Sequence, residues 1–255
     1  YAGVKLVTVF PTNRDTDVAT INGNYLLLNG TTGVPLAILD GGALTARRTA
    51  AASVLAATML ARPDSHRLVV VGSGRLAGEL ARGYCALFPI DDVTVWNHRA
   101  AGAEQLAATL RNEGFPATSA TDLGAACATA DIVTCATMSS APVISGDSLN
   151  AGCHLDLVGA FTPAMREADD VATGRARVFV DTMAGALTEA GDILQPIQSG
   201  ALRESDIEAD LFSLCRGFDV HRANDDITLF KSVGHALEDL VSAAAVYEAL
   251  AQQPR

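Results

Sequence analysis

The sequence predicts an α/β fold in which helices cover both faces of a parallel sheet. Short apolar segments that are typical of buried strands alternate with helical segments between Arg67 and about Val180. One strand breaks at glycines that lead straight into a helix, as in a dinucleotide-binding unit of a Rossmann-type, doubly wound sheet. The length of 255 residues and the apolar fraction of 49% allow one or two domains with a sizeable core.

The opening segment predicts a small sheet followed by one long helix. Apolar or alternating segments bounded by turn residues predict three strands, at 4–10, 24–28 and 35–40. The first strand is expected to stop at a turn over Pro11-Thr12-Asn13. An alanine-rich helix is predicted to follow Thr45 and to run from Ala46 to about Ala61, ahead of Pro63.

Five short apolar segments are the predicted strands of the parallel sheet. They are Leu68–Val71, Val93–Trp96, Ile132–Cys135, His154–Val158 and Val178–Val180. Ligands of such sheets bind at the carboxyl ends of the strands, so the loops that follow the third and fourth segments are candidate site loops. Mixed helix and loop is expected beyond Asp181, and a final helix from about His235 to Gln252.

The glycines after the first of these strands predict a phosphate-binding turn. Gly72 permits a tight turn, Gly74 lets the backbone approach a pyrophosphate, and Ala77 keeps the helix close to the strand. The alternative is an incidental joint between a strand and a helix, because this motif by itself is weak evidence. The predicted cofactor-binding residues of the turn are Gly72, Ser73, Gly74, Arg75 and Leu76.

The residues after the second strand bear on which dinucleotide binds. An Asp or Glu at this position accepts hydrogen bonds from the ribose of NAD, but the chain has Asn97-His98-Arg99. A carboxylate would repel a 2′-phosphate, whereas Arg99 would attract one. We therefore predict that NADP(H) is preferred and that NAD(H) is also accepted; alternatively, Arg99 is a solvated residue that opens the next helix.

The charge and cysteine content narrow the class of protein. The net charge is −11, which disfavours nucleic acid and anionic membrane surfaces as partners. The sequence has no apolar run long enough to span a bilayer, and we expect a cytoplasmic location. The five cysteines lack metal-ligand spacing and are expected to be reduced core thiols, and the five histidines form no paired arrangement, so no metal site is predicted.

Four separated segments together resemble the ornithine cyclodeaminase and mu-crystallin family. They are Gly3–Pro11 (GVKLVTVFP), Leu44–Ala51 (LTARRTAA), Val71–Gly74 (VGSG) and Ile227–Gly234 (ITLFKSVG). The second and fourth segments are long enough to be far more specific than the glycine motif. The resemblance spans essentially the whole chain.

The resemblance also implies an activity. Within the family, the segment 154–169 looks most like the branch that reduces Δ1-pyrroline-2-carboxylate, a cyclic imino acid, to L-proline with NAD(P)H. The segment Trp96–Arg99 resembles the NADPH-using mu-crystallin type. The six-membered piperideine homologue is a further candidate substrate. Two alternatives stay open, namely an ornithine cyclodeaminase that forms proline and ammonia, and a mu-crystallin-like NADPH-binding protein with little turnover.

The domain organisation is likewise implied by the resemblance. It predicts a Rossmann NAD(P)-binding domain at 63–227, inserted into a smaller α+β domain for substrate binding and dimerisation made of 1–62 and 228–255. A homodimer is expected. Family members carry a further segment before the residue that matches Tyr1, including part of the substrate pocket, so the N-terminal part of this domain is expected to be missing from the sequence.

Two cations match the family's substrate site. Lys5 matches its catalytic lysine and Arg48 its substrate-carboxylate arginine. Both roles are chemically reasonable, because an arginine guanidinium can hold a carboxylate in two parallel hydrogen bonds and a lysine can supply the proton that imine reduction needs. Without the resemblance, Lys5 would be an edge-strand charge and Arg48 a helix-surface residue. Arg47 is the second candidate, since only one of two consecutive helical residues can face a pocket.

One departure from the family separates the activities. Cyclodeaminases and the related alanine dehydrogenases have an aspartate where this chain has Phe161, which is predicted to bind substrate and cannot transfer protons. Deamination needs an acid or base near the reacting carbon, whereas reduction of an existing imine mainly needs orientation and exclusion of water. The alternative interpretation of Phe161 is core packing beside a turn.

Further cofactor contacts follow from position at the ends of strands and from the family loop that covers the nicotinamide. They are Ala136, Thr137, Gly159, Ala160, Ser232 and Gly234. Thr137 could instead only end its strand, and Gly234 could only open a helix. His98 and His154 are expected to make local hydrogen bonds rather than to catalyse. Asp239 on the last helix is expected to be a solvated or capping charge.

Overall fold

A computed structural model describes residues 1–10, 12, 13, 16, 18 and 21–252. Pro11, the first residue of the predicted turn, lies outside the described residues, as do residues 253–255 of the predicted C-terminal segment. The chain divides into two compact units, one made of 1–49 and 235–255 and the other of 50–234.

The first unit contains a three-stranded antiparallel sheet and the last helix. Its elements are β1 (Ala2–Val9), β2 (Ile21–Leu28), β3 (Pro35–Asp40), the start of α1 (Gly41–Leu60) and α9 (Ala236–Ala251). The strands pair antiparallel in the order β1-β2-β3, which confirms the three strands predicted in this segment. Tyr25, Leu27, Leu44 and Ala243 form a small buried core.

The second unit contains an eight-stranded parallel sheet. Its strands are β4 (Arg67–Val71), β5 (Asp92–Trp96), β6 (Ala117–Ala120), β7 (Ile132–Cys135), β8 (His154–Leu157), β9 (Ala176–Val180), β10 (Ile207–Asp210) and β11 (Ile227–Lys231). They pair in the order β10-β9-β11-β8-β7-β4-β5-β6, and every pair is parallel. This sheet confirms the predicted α/β class.

Helices connect these strands and cover the sheet. They are α2 (Arg75–Leu87), α3 (Ala100–Asn112), α4 (Leu123–Cys127), α5 (Asp170–Arg175), α6 (Met183–Glu189), α7 (Gly191–Ser199) and α8 (Leu211–Cys215). Strand β4 shows that both faces are covered, because Val69 and Val71 belong to one apolar cluster and Leu68 and Val70 to another. A continuous apolar strand is the pattern expected of a sheet buried on both faces.

Helix α1 begins five residues before the predicted start. Asp40 ends β3 and its Oδ1 accepts a hydrogen bond from the backbone N–H of Ala43 at 2.6 Å, which caps the first turn. Thr45 therefore lies inside the helix, where its hydroxyl donates to the carbonyl of Gly41 at 2.6 Å. The prediction of a start after Thr45 was wrong because Asp40 served as the cap instead.

Three strands were not predicted from the sequence, and one of them, β11, changes the predicted domain boundary at residue 227. The strands β6 and β10 are short segments at the two edges of the sheet. Strand β11 lies inside the sheet between β9 and β8 with all five residues buried, although the prediction placed 228–255 in the other domain. The observed units therefore have other boundaries than the predicted 1–62 with 228–255 and 63–227.

The cysteines are all free thiols, but they do not all lie in the core. Cys127, Cys135 and Cys153 are buried, Cys85 is half-buried, and Cys215 is exposed. The expectation of a core thiol was therefore wrong for Cys215, which lies in the last turn of the short helix α8. Within the described part of the chain, no helix has the length and apolar character that crossing a membrane requires.

Candidate active site

The glycine turn after β4 has the geometry that a pyrophosphate requires. Gly72 has a φ of +113°, and a Cβ there would lie 2.7 Å from the carbonyl oxygen of Ala136, so glycine is needed for both reasons. At Gly74, no atom of the described neighbouring residues lies within 4 Å of a Cβ position. Helix α2 starts at the next residue without a side-chain cap, which leaves its first N–H groups available to an anion. The turn therefore fits a dinucleotide.

The segment after β5 contacts this turn. Asn97 Nδ2 donates to Ser73 Oγ at 3.0 Å, and Asn97 Oδ1 lies 3.1 Å from His98 Nδ1. A cleft of about 400 Å³ opens beside Ser73 and Gly74, between α2 and α3. Arg99 precedes α3 and is exposed, and its side chain makes no hydrogen bond or ion pair with the described residues. The local hydrogen bond expected of His98 is present.

Glu167 ties together the loops that follow β7 and β8. Its Oε1 accepts hydrogen bonds from the backbone N–H and the hydroxyl of Thr137, at 2.6 and 2.8 Å. Its Oε2 accepts from the backbone N–H groups of Gly159 and Ala160, at 2.7 and 3.3 Å. The side chain is fully buried. Three of the predicted cofactor contacts thus donate their N–H groups to one carboxylate.

Two further buried charges support Glu167. Asp192 Oδ1 accepts from the backbone N–H of Glu167 at 2.7 Å. Lys231, at the end of β11, places Nζ 3.0 Å from Asp192 Oδ2 and 4.0 Å from Glu167 Oε2. Burial raises the pKa of Glu167, and the positive charge of Lys231 opposes that rise.

Asp181 holds the loop after β11 through hydrogen bonds, as Glu167 holds the loops after β7 and β8. This residue follows β9, and its Oδ2 accepts hydrogen bonds from the hydroxyl of Ser232 at 3.1 Å and from the backbone N–H groups of Val233 and Gly234 at 2.8 and 2.6 Å. Gly234 has a φ of +94°, a conformation that favours glycine. Gly234 immediately precedes the residue that caps α9, so it does not open that helix.

Sequence reasoning gave no role to either carboxylate. Asp181 carries a weak signal, since it stands directly after a buried strand, where a polar residue lies at the ligand-binding edge of the sheet. Glu167 carries none, because its partners Thr137 and Gly159 are 30 and 8 residues away along the chain.

In the first unit, Lys5 and Arg48 contact the same carboxylate. Lys5 Nζ lies 3.0 and 3.2 Å from the two oxygens of Asp239, and Arg48 Nε donates to Asp239 Oδ1 at 3.2 Å. Arg48 Nη1 donates to Glu238 Oε2 at 2.6 Å. The expectation that Asp239 is a solvated or capping charge was wrong: its side chain is 8% exposed, because α9 turns it towards both cations.

The two adjacent arginines differ as helical geometry requires. Arg48 is buried and Arg47 is exposed, so only Arg48 faces the interior of the unit. The prediction that the Arg48 guanidinium holds the substrate carboxylate in two parallel hydrogen bonds must be revised. Its Nε and Nη1 groups already donate hydrogen bonds to the carboxylates of Asp239 and Glu238. Its Nη2 makes no hydrogen bond within the part of the chain that the structure describes.

A small pocket borders this cluster. It has a volume of about 280 Å³ and is lined by Gly3, Lys5, Tyr25, Ala236, Leu237, Asp239 and Leu240. Lys5 and Tyr25 are opposite each other in the β1–β2 pair, which places both at the pocket. A side chain at position 3 would collide with Tyr25, whose hydroxyl oxygen lies 2.0 Å from the Cβ position. Burial, and to a smaller extent the charge of Asp239, raises the pKa of Tyr25.

Two other buried polar side chains lie within the large sheet. His154 Nδ1 is 2.9 Å from the hydroxyl of Thr228, and burial lowers the pKa of His154 to about 3, so the ring is neutral and its role is local, as expected. Asp156 accepts hydrogen bonds from the hydroxyls of Ser53 at 2.9 Å and Thr134 at 2.7 Å. Burial raises the pKa of Asp156 to about 6. Among the described residues, no group of His, Cys, Asp and Glu side chains could hold a metal ion.

A family model described as the ornithine cyclodeaminase/mu-crystallin family matches residues 1–253. The chain belongs to this family. The predicted family is therefore confirmed. A Δ1-pyrroline-2-carboxylate reductase of Paracoccus denitrificans is 40% identical over 251 residues, which cover 98% of this chain and 79% of that protein.

Solved structures of the family share the fold. A Δ1-pyrroline-2-carboxylate reductase of Thermococcus litoralis, in complex with NADH and L-proline, has a TM-score of 0.92 and 32% identity, covering 98% of this chain and 78% of that one. An archaeal alanine dehydrogenase dimer with bound NAD has a TM-score of 0.91 and 28% identity, with the same coverage. These neighbours confirm the predicted fold class, and they bind NAD or NADH.

Phe161 distinguishes this chain from the family members expected to carry an aspartate at its position. Its side chain is 41% exposed, which contradicts the interpretation as core packing. Met138, on the loop after β7, is 66% exposed. The two loops that Glu167 joins thus each present a large apolar side chain to solvent, and Phe161 offers no group that could transfer a proton.

Proposed function

We propose that this protein reduces Δ1-pyrroline-2-carboxylate to L-proline with a nicotinamide dinucleotide. The relatives from Paracoccus denitrificans and Thermococcus litoralis carry the name of that reductase, in agreement with the activity predicted from the sequence. The observation that carries the proposal is that Lys5 and Arg48, from a strand and a helix, both contact one carboxylate group beside a pocket of about 280 Å³. A small imino acid offers the same carboxylate chemistry and fits that volume.

The cations have separate tasks in this proposal. Arg48 binds the substrate carboxylate through Nη2, which its protein partners leave available. Lys5 delivers a proton to the ring nitrogen as the C=N bond is reduced, and Asp239 holds its ammonium group in place. A dinucleotide bound at the glycine turn would supply the hydride for the imine carbon. One hydride and one proton together convert the imine into the amine.

The apolar side chain of Phe161 favours reduction over deamination. Ornithine cyclodeamination includes oxidation of an amine and loss of ammonia, steps that need an acid or base near the reacting carbon. Phe161 supplies neither, but an apolar ring can orient the substrate and exclude water. We retain ornithine cyclodeaminase as the second candidate because the family includes that activity.

The test is a comparison of substrates with the purified chain. We expect NADPH or NADH to be oxidised with Δ1-pyrroline-2-carboxylate and to yield proline, and no ammonia to be released from ornithine with NAD⁺ above a control without enzyme. Ammonia release without imine reduction would support the cyclodeaminase. Tight NADPH binding without turnover of either substrate would support a mu-crystallin-like binding protein.

The finer assignments are also proposals. We infer that NADP(H) is preferred, because the segment after β5 offers the exposed cation Arg99 and no carboxylate at the position that would meet a 2′-phosphate. A homodimer is proposed from the resemblance, and one structural neighbour is a dimer. A cytoplasmic location and the absence of nucleic acid or membrane partners remain expectations from the composition.

A further inference from the structure

The two loops predicted to receive the nicotinamide are joined by backbone hydrogen bonds away from the strand ends, such as the one that the N–H of Arg166 donates to the carbonyl of Ser139 at 2.9 Å. Thr137 follows β7 and Gly159 follows β8, and their backbone N–H groups both point at the carboxylate of Glu167. Gly159 permits this approach, because a Cβ there would lie 1.9 Å from the carbonyl oxygen of Thr137 and 2.5 Å from Glu167 Oε1. At the ends of β7 and β8, the two loops are therefore bridged by the carboxylate of Glu167.

Glu167 is itself fixed from behind. Asp192 accepts hydrogen bonds from the backbone N–H groups of Glu167 and Ala168, and Lys231 lies between the two carboxylates. All three charged side chains are buried. The Glu167 carboxylate accepts four hydrogen bonds and is therefore rigid, because any displacement would leave an uncompensated charge or donor in the interior.

We propose that Glu167 is a positioning residue for the reductase: it sets the distance between the loops at Thr137 and at Gly159–Ala160 that receive the nicotinamide half of the cofactor. The inference rests on the proposed function. Glu167 touches neither substrate nor reacting atoms in this proposal. Its importance follows from the geometry of hydride transfer, in which a displacement of about 1 Å can cost roughly 100-fold in rate.

The test replaces the carboxylate by an amide. In Glu167→Gln, one acceptor oxygen becomes an NH₂ group that faces backbone N–H donors, which cannot turn round to accept. We expect the Kd for NADH to rise about tenfold, as for the loss of one hydrogen bond to a charged group. We expect kcat for the imine to fall at least as much, while KM for the imine changes less than twofold.

The matched control is Asp156→Asn. It removes a charge from another fully buried carboxylate of the same unit, but its partners are the hydroxyls of Ser53 and Thr134, which can rotate to accept from an amide. We expect its Kd for NADH to stay within twofold of wild type. A rise equal to that of Glu167→Gln would overturn the proposal, because it would reflect general loosening of the unit.

Hydrogen exchange in the protein without cofactor tests the geometry independently of catalysis. We expect the amides of Thr137, Gly159 and Ala160 to exchange at least tenfold faster in Glu167→Gln and unchanged in Asp156→Asn. If no imine is reduced by wild type but this pattern and the NADH effect appear, the proposed substrate is wrong and the positioning role stands. If neither amide exchange nor NADH affinity changes in Glu167→Gln, the positioning role is wrong.

A milder variant keeps the proposal testable if Glu167→Gln does not fold. Thr137→Val removes one donor to Glu167 and retains the carboxylate. We expect a smaller rise in the NADH Kd, of about threefold, with faster exchange at residue 137 and little change at Ala160. No change in either quantity would overturn the proposal.

Discussion

The two units use carboxylates in opposite ways. In the large sheet, Glu167 and Asp181 are buried and bind several N–H and O–H groups of the protein itself. In the small unit, Asp239 lines a pocket together with Lys5 and binds the cations Lys5 and Arg48. Arg48 Nη2 is left without a hydrogen bond among the described residues. A carboxylate whose oxygens all accept hydrogen bonds from the protein fixes the structure around it. A cation that still has unused N–H donors is available to bind a ligand.

The largest expected effect is in the small unit. Arg48→Ala should lower kcat/KM for the imine by about 1000-fold, because the substrate loses its charged hydrogen-bond partner and Asp239 and Glu238 are left less well paired. Arg47→Ala is the matched control, since the adjacent residue is exposed, and its kcat/KM should stay within twofold. Equal losses of kcat/KM for the two substitutions in steady-state kinetics would contradict a substrate-binding role that is specific to Arg48.

Asp156 tests whether a buried carboxylate of the large sheet acts through stability. Its folded-state pKa of about 6 exceeds the ordinary value of 3.8, so the native state binds the proton more tightly and loses stability from this group as pH rises through about 6. Asp156→Asn cannot ionise. Its free energy of unfolding relative to wild type should therefore rise by up to about 3 kcal/mol between pH 4 and pH 7.5.

Denaturant melts at several pH values measure that difference. Because other groups titrate equally in both proteins, the difference between variant and wild type isolates Asp156. A difference that does not depend on pH would show that this carboxyl group is not perturbed in the folded protein.

Asp239→Asn tests the carboxylate that Lys5 and Arg48 share in the small unit. The amide cannot neutralise Lys5 and Arg48, so both cations should lose their common anchor. We expect kcat/KM to fall roughly 50-fold, about 2 kcal/mol, within the range for truncating one member of a buried charge pair. NADH affinity should not change, since the glycine turn belongs to the other unit. Weakened NADH binding in fluorescence titration would contradict this division of labour.

The smallest expected effect concerns cofactor choice. Arg99→Ala should raise the Kd for NADPH about tenfold, near 1.4 kcal/mol, and that for NADH less than twofold, because only NADPH carries the 2′-phosphate. His98→Ala is the neighbouring control. Equal loss for both cofactors would show that Arg99 contacts a part that they share, and no loss would support its interpretation as a solvated residue.

Sequence reasoning predicted what local patterns encode. The buried strands β4, β7 and β8, which are rich in apolar residues, and the turn at Gly72–Gly74 were predicted within a residue or two, since burial on both faces and a positive φ each leave a local signature. The edge strand β6 was missed because Ala117–Ala120 is short and half polar. The segment of β11 ends in Lys231, a charge whose burial no local pattern indicates.

The sequence by itself thus indicated the class of the fold, the glycine turn after β4 and, through the family resemblance, Lys5 and Arg48 as candidate site residues. Only the tertiary structure decided the partners of those residues. Asp239 lies 191 positions from Arg48, and Lys231 at the end of β11 lies beside Glu167 in a loop and Asp192 in α7. Strand periodicity and turn chemistry act over a few residues, but the partner of a buried charge depends on which distant segments pack together.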